Sequence, residues 1–133
     1  MKERPPSDRD SRTRPADRIS APVVTVNLEV ELKALRSSDS YKRNDHASAT
    51  IVNRPGLGAV LIALPKGGHV AAHRTARPIT LRVLEGTIQL SLDDRTIEMV
   101  RGDLTALAPH LQHKVTGIEE SAFLLTMGGG TER

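Results

Sequence analysis

The sequence predicts an all-β sandwich or small barrel with one short helix ahead of the strands. From Ser48 onward the chain breaks into short apolar segments separated by Gly, Pro and Asp, the pattern of many short strands joined by tight turns. That stretch leaves no helical segments between the strands, which excludes a parallel α/β sheet with its helical crossovers. Ahead of it, Leu28, Leu32 and Leu35 recur at the spacing of one helix face.

Residues 1–21 are expected to form a disordered arm. Lys2, Arg4, Arg9, Arg12, Arg14 and Arg18 alternate there with Glu3, Asp8, Asp10 and Asp17, and Pro5, Pro6 and Pro15 interrupt regular structure. A single domain is assigned to residues 22–127. Pro22 opens it, and the β-branched run Val23 to Val26 suits an edge strand. Asn27 reads as a cap for a helix from Leu28 to Arg36, since its short side chain accepts from amides of the first turn. Ser37 to Ala47 reads as a polar loop. The predicted strands are Ala49 to Val52, Gly58 to Leu64, His69 to His73, Ile79 to Leu84, Thr87 to Leu92, Thr96 to Val100, Leu104 to Leu107, His113 to Val115 and Ala122 to Met127. Asp93 and Asp94 turn one hairpin. The glycines from Gly128 to Gly130 begin a flexible tail over residues 128–133.

Composition narrows the function classes. A chain of 133 residues suits one core of ordinary size. The absence of cysteine removes disulfides, thiolate metal sites and thiol nucleophiles. No apolar run approaches the roughly 18 residues that cross a bilayer, and the charged start lacks the apolar core of a secretion signal, so a soluble cytoplasmic protein is expected. The net charge is +3, but its excess sits in the mixed-charge arm, and Tyr41 and Phe123 are the only aromatic residues apart from histidine. Neither a basic stripe nor a stacking platform is present, so no nucleic-acid partner is expected, nor any membrane partner.

Two histidine-bearing segments carry the functional signal. In the first, Gly67 is followed after five residues by His73, with Thr75, Ile79 and Gly86 at regular offsets beyond it. In the second, Gly102 precedes Ala108, His110, His113 and Gly117. These placements resemble the two conserved motifs of the cupin family. The first cupin motif runs Gly, five residues, His, one residue, His, three or four residues, Glu, six residues, Gly. The second runs Gly, five residues, Pro, one residue, Gly, two residues, His, three residues, Asn. The glycine frames of both are kept, and His73 and His113 fall on ligand positions. Thr75 replaces the second histidine and Ile79 the glutamate, while Ala108, His110 and Gly117 stand at the Pro, inner Gly and Asn positions, with Pro109 displaced by one. The resemblance implies a double-stranded β-helix, the cupin jelly-roll barrel, with a degenerate metal-binding motif.

It also implies a pocket. If His73 faces the interior of an unbroken strand, then Ala71, His69 and Thr75 share its side, with Ile79, Leu81 and Val83 lining the same interior. Catalytic iron or zinc sites use about three protein ligands, and His73 and His113 supply two. His69, His110 and Thr75 are the further candidates. On a strand, however, His69 lies about 13 Å from His73 at about 3.3 Å per residue. His110 reads as a turn residue pointing to solvent, and Thr75 as a strand residue that adds little metal affinity. Glu85 and Asp103 each flank a turn glycine and read as solvated hairpin residues.

The functional expectation is a small cupin that binds a small molecule inside its barrel through His73 and His113. The expected cofactor is at most a weakly held divalent transition metal (Fe, Mn, Ni or Zn), and no nucleotide cofactor is expected. A metal-dependent dioxygenase or isomerase is the first alternative. A regulatory or scaffold module is the second, though no helix-turn-helix pattern accompanies the barrel. A homodimer formed by N-terminal strand exchange or addition is expected by analogy, with Val23 to Val26 and Ala49 to Val52 as edges.

Overall fold

The computed structural model of the chain describes residues 12–18, 21–43 and 45–129. Among these described residues, nine strands form two antiparallel sheets. They are β1 (Ala47–Arg54), β2 (Leu57–Leu64), β3 (His69–His73), β4 (Ile79–Glu85), β5 (Thr87–Leu92), β6 (Thr96–Val100), β7 (Leu104–Leu107), β8 (His113–Gly117) and β9 (Ser121–Gly128). The first sheet runs β1-β2-β9-β4-β7 and the second β3-β8-β5-β6. Consecutive strands repeatedly cross between sheets, the wiring of a jelly roll.

The inner faces meet in a core of Ile62, Leu64, Leu81, Val83, Ile88, Leu90, Met99 and Phe123. β2 is buried on both faces. Ile62 and Leu64 point into this core, while Leu61 and Ala63 join Leu32, Ile51, Ala59 and Ala122 in a second cluster on the outer side of the first sheet. That double burial explains why β2 reads as a nearly continuous apolar run instead of an alternating one. Its outer cover is helix α1 (Leu28–Arg36), whose first turn is capped by Asn27 Oδ1 accepting from the Val30 amide at 2.9 Å.

Turn geometry fixes the strand breaks. Leu92 N donates to Arg95 O at 2.8 Å across the Asp93-Asp94 hairpin. At Gly86 the backbone is left-handed (φ 76°), and a Cβ would collide with the Glu120 carbonyl oxygen, so the β4–β5 turn needs glycine on two grounds.

Three parts of the chain differ from the sequence reading. Val23 to Val26 forms no strand. Its backbone is engaged by the arm instead: Thr13 N donates to Thr25 O at 2.7 Å, and Thr25 N donates to Thr13 Oγ1 at 2.9 Å. β propensity is overridden because Val23, 74% exposed, has no sheet to pack on. Within the expected loop Ser37 to Ala47, helix α2 (Asp39–Arg43) forms, entered where Ser38 Oγ accepts from the Tyr41 amide at 3.2 Å. Its Tyr41 hydroxyl donates to Glu120 at 2.8 Å. Most of the expected arm lies outside the described residues, as do residues 130–133 of the expected tail, while Gly128 closes β9. The described segment 12–18 packs on the body through Arg18, only 4% exposed, which pairs with Glu31 at 2.9 Å and donates to Thr50 O at 2.9 Å.

Candidate functional site

One end of the barrel is open, and a cavity of about 450 Å³ enters there between the sheets. Its walls are mostly apolar: Val60 and Ile62 from β2, Ile79 from β4, Val115 from β8, and Phe123, Leu125 and Met127 from β9. Polar groups come from His73, Thr75, His113 and His46.

His73 and His113 come together because β3 is irregular. His69 pairs with Thr116, Val70 with Val115, and His73 with His113, so Ala71 and Ala72 together oppose Lys114 alone. This one-residue bulge reverses the alternation of sides. Val70 and His73, three residues apart, both line the cavity, whereas an unbroken strand would place them on opposite faces. The two imidazoles meet edge to face, with centroids 5.7 Å apart and planes at 84°.

The histidines differ in environment. His113 is 5% exposed, and its Nδ1 lies 3.1 Å from Leu111 O. A carbonyl only accepts, so this contact places a proton on Nδ1 and leaves Nε2 for other partners. His73, near the end of the edge strand β3, is exposed at the cavity mouth. Thr75 Oγ1 accepts from the Arg77 amide at 3.2 Å, which keeps its hydroxyl proton available.

The remaining candidates lie elsewhere. Because of the bulge, His69 turns to the outside, where its Nδ1 is 3.3 Å from the Asp45 carboxylate. His110 is exposed, with φ 72°, and its amide donates to Thr75 O at 2.7 Å. It therefore holds a left-handed backbone unusual for a side-chain-bearing residue, and it does not line the cavity. Ile79 lines the cavity, but Leu81 and Val83 lie deeper in the closed core. Glu85 is held by Arg36 at 2.7 Å, and Asp103 accepts from the Val100 amide at 2.9 Å, both outside the cavity.

His46 is the polar cavity residue that the sequence reading missed, and Val60, Ile62, Val70, Val115 and the β9 side chains are apolar ones it also missed. His46 sits just before β1, outside both motifs, and no local spacing marks it. Its Nδ1 is shielded from solvent and has no hydrogen-bond partner among the described residues.

The residues present do not fit a catalytic metal centre. Although three imidazoles line the cavity, no three or more His, Asp or Glu side chains among the described residues form a group able to hold a metal ion. Ile79 brings an aliphatic side chain to the cavity wall and Thr75 only a neutral hydroxyl, short of the three ligands such centres use.

No family model matches the chain, and no curated protein matches it in sequence. Solved structures do match its fold. A cupin superfamily protein from Desulfitobacterium hafniense superimposes with a TM-score of 0.62 at 18% identity, covering 65% of this chain and 80% of that one. An RmlC-like cupin from Shewanella frigidimarina gives 0.61 at 20% identity, over 67% and 80%. Salicylate 1,2-dioxygenase from Pseudoaminobacter salicylatoxidans gives 0.70 at 15% identity, covering 77% of this chain and 32% of that one.

Proposed function

The chain has the cupin fold, and from that premise we propose that its barrel binds a small, largely apolar organic molecule oriented by His73 and His113. The observation that carries this reading is the cavity of about 450 Å³, in the size range of small-molecule sites, with aliphatic walls and imidazoles from two paired strands. Burying a ligand's apolar body against these walls contributes most of the affinity. The imidazoles supply direction, one fixed by Leu111 and the other set at the mouth.

A divalent metal on His73 and His113 is the second reading, supported by their facing rings and disfavoured by the lack of a third donor. It would make the protein a weak metal binder, and the dioxygenase among the structural neighbours lends it only the fold. We place the protein in the cytoplasm as a homodimer. β1, at the edge of its sheet, is the remaining candidate for strand pairing, and size-exclusion chromatography reads the assembly directly.

The test is a thermal-shift and calorimetric screen of the parent, His73→Ala and His113→Ala against small apolar molecules and against Fe, Mn, Ni and Zn salts. Organic ligands are expected to raise the parent's Tm, and both variants to lose that shift while remaining folded. Near one metal per chain, lost in both variants, would replace the organic-ligand reading with the metal one. Ligand shifts that persist in both variants would remove the two histidines from the site.

A further inference from the structure

We propose that the molecule this barrel accepts is an apolar alcohol or phenol, and that its hydroxyl donates to His113 Nε2. The inference rests on the cavity-binding reading above and goes beyond it in naming the ligand class and the atom that selects it.

His113 is held as an acceptor. Its strand β8 is paired on both sides, with β3 and β5, so the backbone that carries the ring is fixed. The ring is pinned in turn by Nδ1, which donates to Leu111 O at 3.1 Å. With that proton on Nδ1, the neutral ring presents a bare lone pair at Nε2, and a lone pair only accepts. The surroundings suit the neutral form. Among the described residues no carboxylate lines the cavity, so an imidazolium at this 5%-exposed position would lack a counter-charge.

The nitrogen is also within reach. No described residue bonds to His113 Nε2, yet it does not belong with Arg18 Nε, Arg54 Nε and Ser121 Oγ, which lack both a partner and contact with solvent. Nε2 therefore keeps surface that a small molecule can touch, and the ring lines the cavity.

The wall chemistry limits what donates to it. An ammonium would meet no counter-charge, a carboxylate would bring only lone pairs to a lone pair, and a polyol would bury hydroxyls against aliphatic walls without partners. One hydroxyl on an apolar body satisfies the site. Its proton goes to Nε2, and its oxygen still accepts. The Thr75 hydroxyl on the same cavity wall has a proton to give, because its own oxygen is engaged by the Arg77 amide at 3.2 Å.

Isothermal titration at about pH 8, where an ordinary imidazole is neutral, tests this with pairs of isomers that differ in having a donor. The pairs are 1-hexanol with methyl pentyl ether and 4-ethylphenol with 4-methylanisole. The parent is expected to bind each hydroxyl compound about tenfold more tightly than its ether, the scale of one buried nitrogen left unsatisfied. His113→Asn keeps an amide near the Nδ1 position for Leu111 O and has nothing at Nε2, so the ratio should fall to about one. His113→Gln, which brings an amide oxygen near Nε2, should retain part of the preference. Histidine side-chain NMR of the parent needs no substitution: the unprotonated Nε2 signal should move upfield with 1-hexanol and stay in place with the ether. Equal binding of the isomers by the parent, an Nε2 signal that ignores 1-hexanol, an unchanged preference in folded His113→Asn, or tighter binding of hexanoate than of 1-hexanol overturns the inference and leaves the cavity reading standing. If the folded parent binds none of these compounds, the cavity reading fails and this inference falls with it.

Discussion

The two ends of the barrel are made from the same sheets but spend their side chains differently. At the closed end Leu81, Val83, Ile88, Leu90 and Met99 are each at most 1% exposed and fill the space between the sheets. At the open end the same sandwich holds a cavity lined by three imidazoles. β3, which borders the opening, is a bulged edge strand joined only to β8, whereas β5 and β8 are paired on both sides. The difference separates two kinds of residue: those whose loss unfolds the protein and those whose loss empties the site.

The closed end should show the largest effect. Leu81→Ala removes a fully buried side chain from a rigid, interdigitated layer, and about 2–5 kcal/mol of stability should go with it in urea unfolding. Ligand binding by the surviving folded fraction should be unchanged. A loss well below 1 kcal/mol would mean that the closed end is no better packed than the open one, and the comparison would fail.

The histidine pair sharpens the contrast within the open end. His113→Ala removes a 5%-exposed ring and leaves Leu111 O without its partner, so about 1–3 kcal/mol of stability should be lost together with ligand affinity. His73→Ala removes an exposed ring and should cost at most about 0.5 kcal/mol, while ligand affinity falls as much. Equal destabilisation by the two variants would show that the mouth is as much a part of the folding core as the floor.

Legibility followed locality. Asn27 announced α1, and turn residues bounded β3, β5, β6 and β7 at the residues where they begin and end, because those signals act within a few positions. The glycine frames located both histidine strands for the same reason. What stayed hidden is set by distant contacts. The five-residue α2 is anchored by Tyr41 on Glu120, and the run Val23 to Val26 gives its hydrogen bonds to Thr13. The Ala71-Ala72 bulge, with no glycine or proline to mark it, reversed the side on which His69 lies. Depth along β4 was equally invisible: Ile79, Leu81 and Val83 share one face, yet only Ile79 reaches the cavity. His46 belongs to this group, since its place depends on Gly68, more than twenty residues away.

The smallest expected effect asks whether the helical cover helps to position the open end. α2 leads almost directly to His46, and Tyr41 ties it to the barrel. Burial, followed by the hydrogen bond to Glu120, holds the Tyr41 hydroxyl above its ordinary value of 10.0. The folded state therefore binds that proton more tightly than the unfolded chain. The stability the hydroxyl contributes is fully present below pH 10.0 and is lost as pH rises through the folded value above it. Tyr41→Phe should cost about 1 kcal/mol or less at pH 8, and the gap from the parent should close under more alkaline conditions. A gap independent of pH would assign the loss to packing instead of the hydroxyl. If ligand affinity at pH 8 falls with this substitution, α2 helps to shape the open end; if it does not, the open end is organised independently of the helices that cover the sheet.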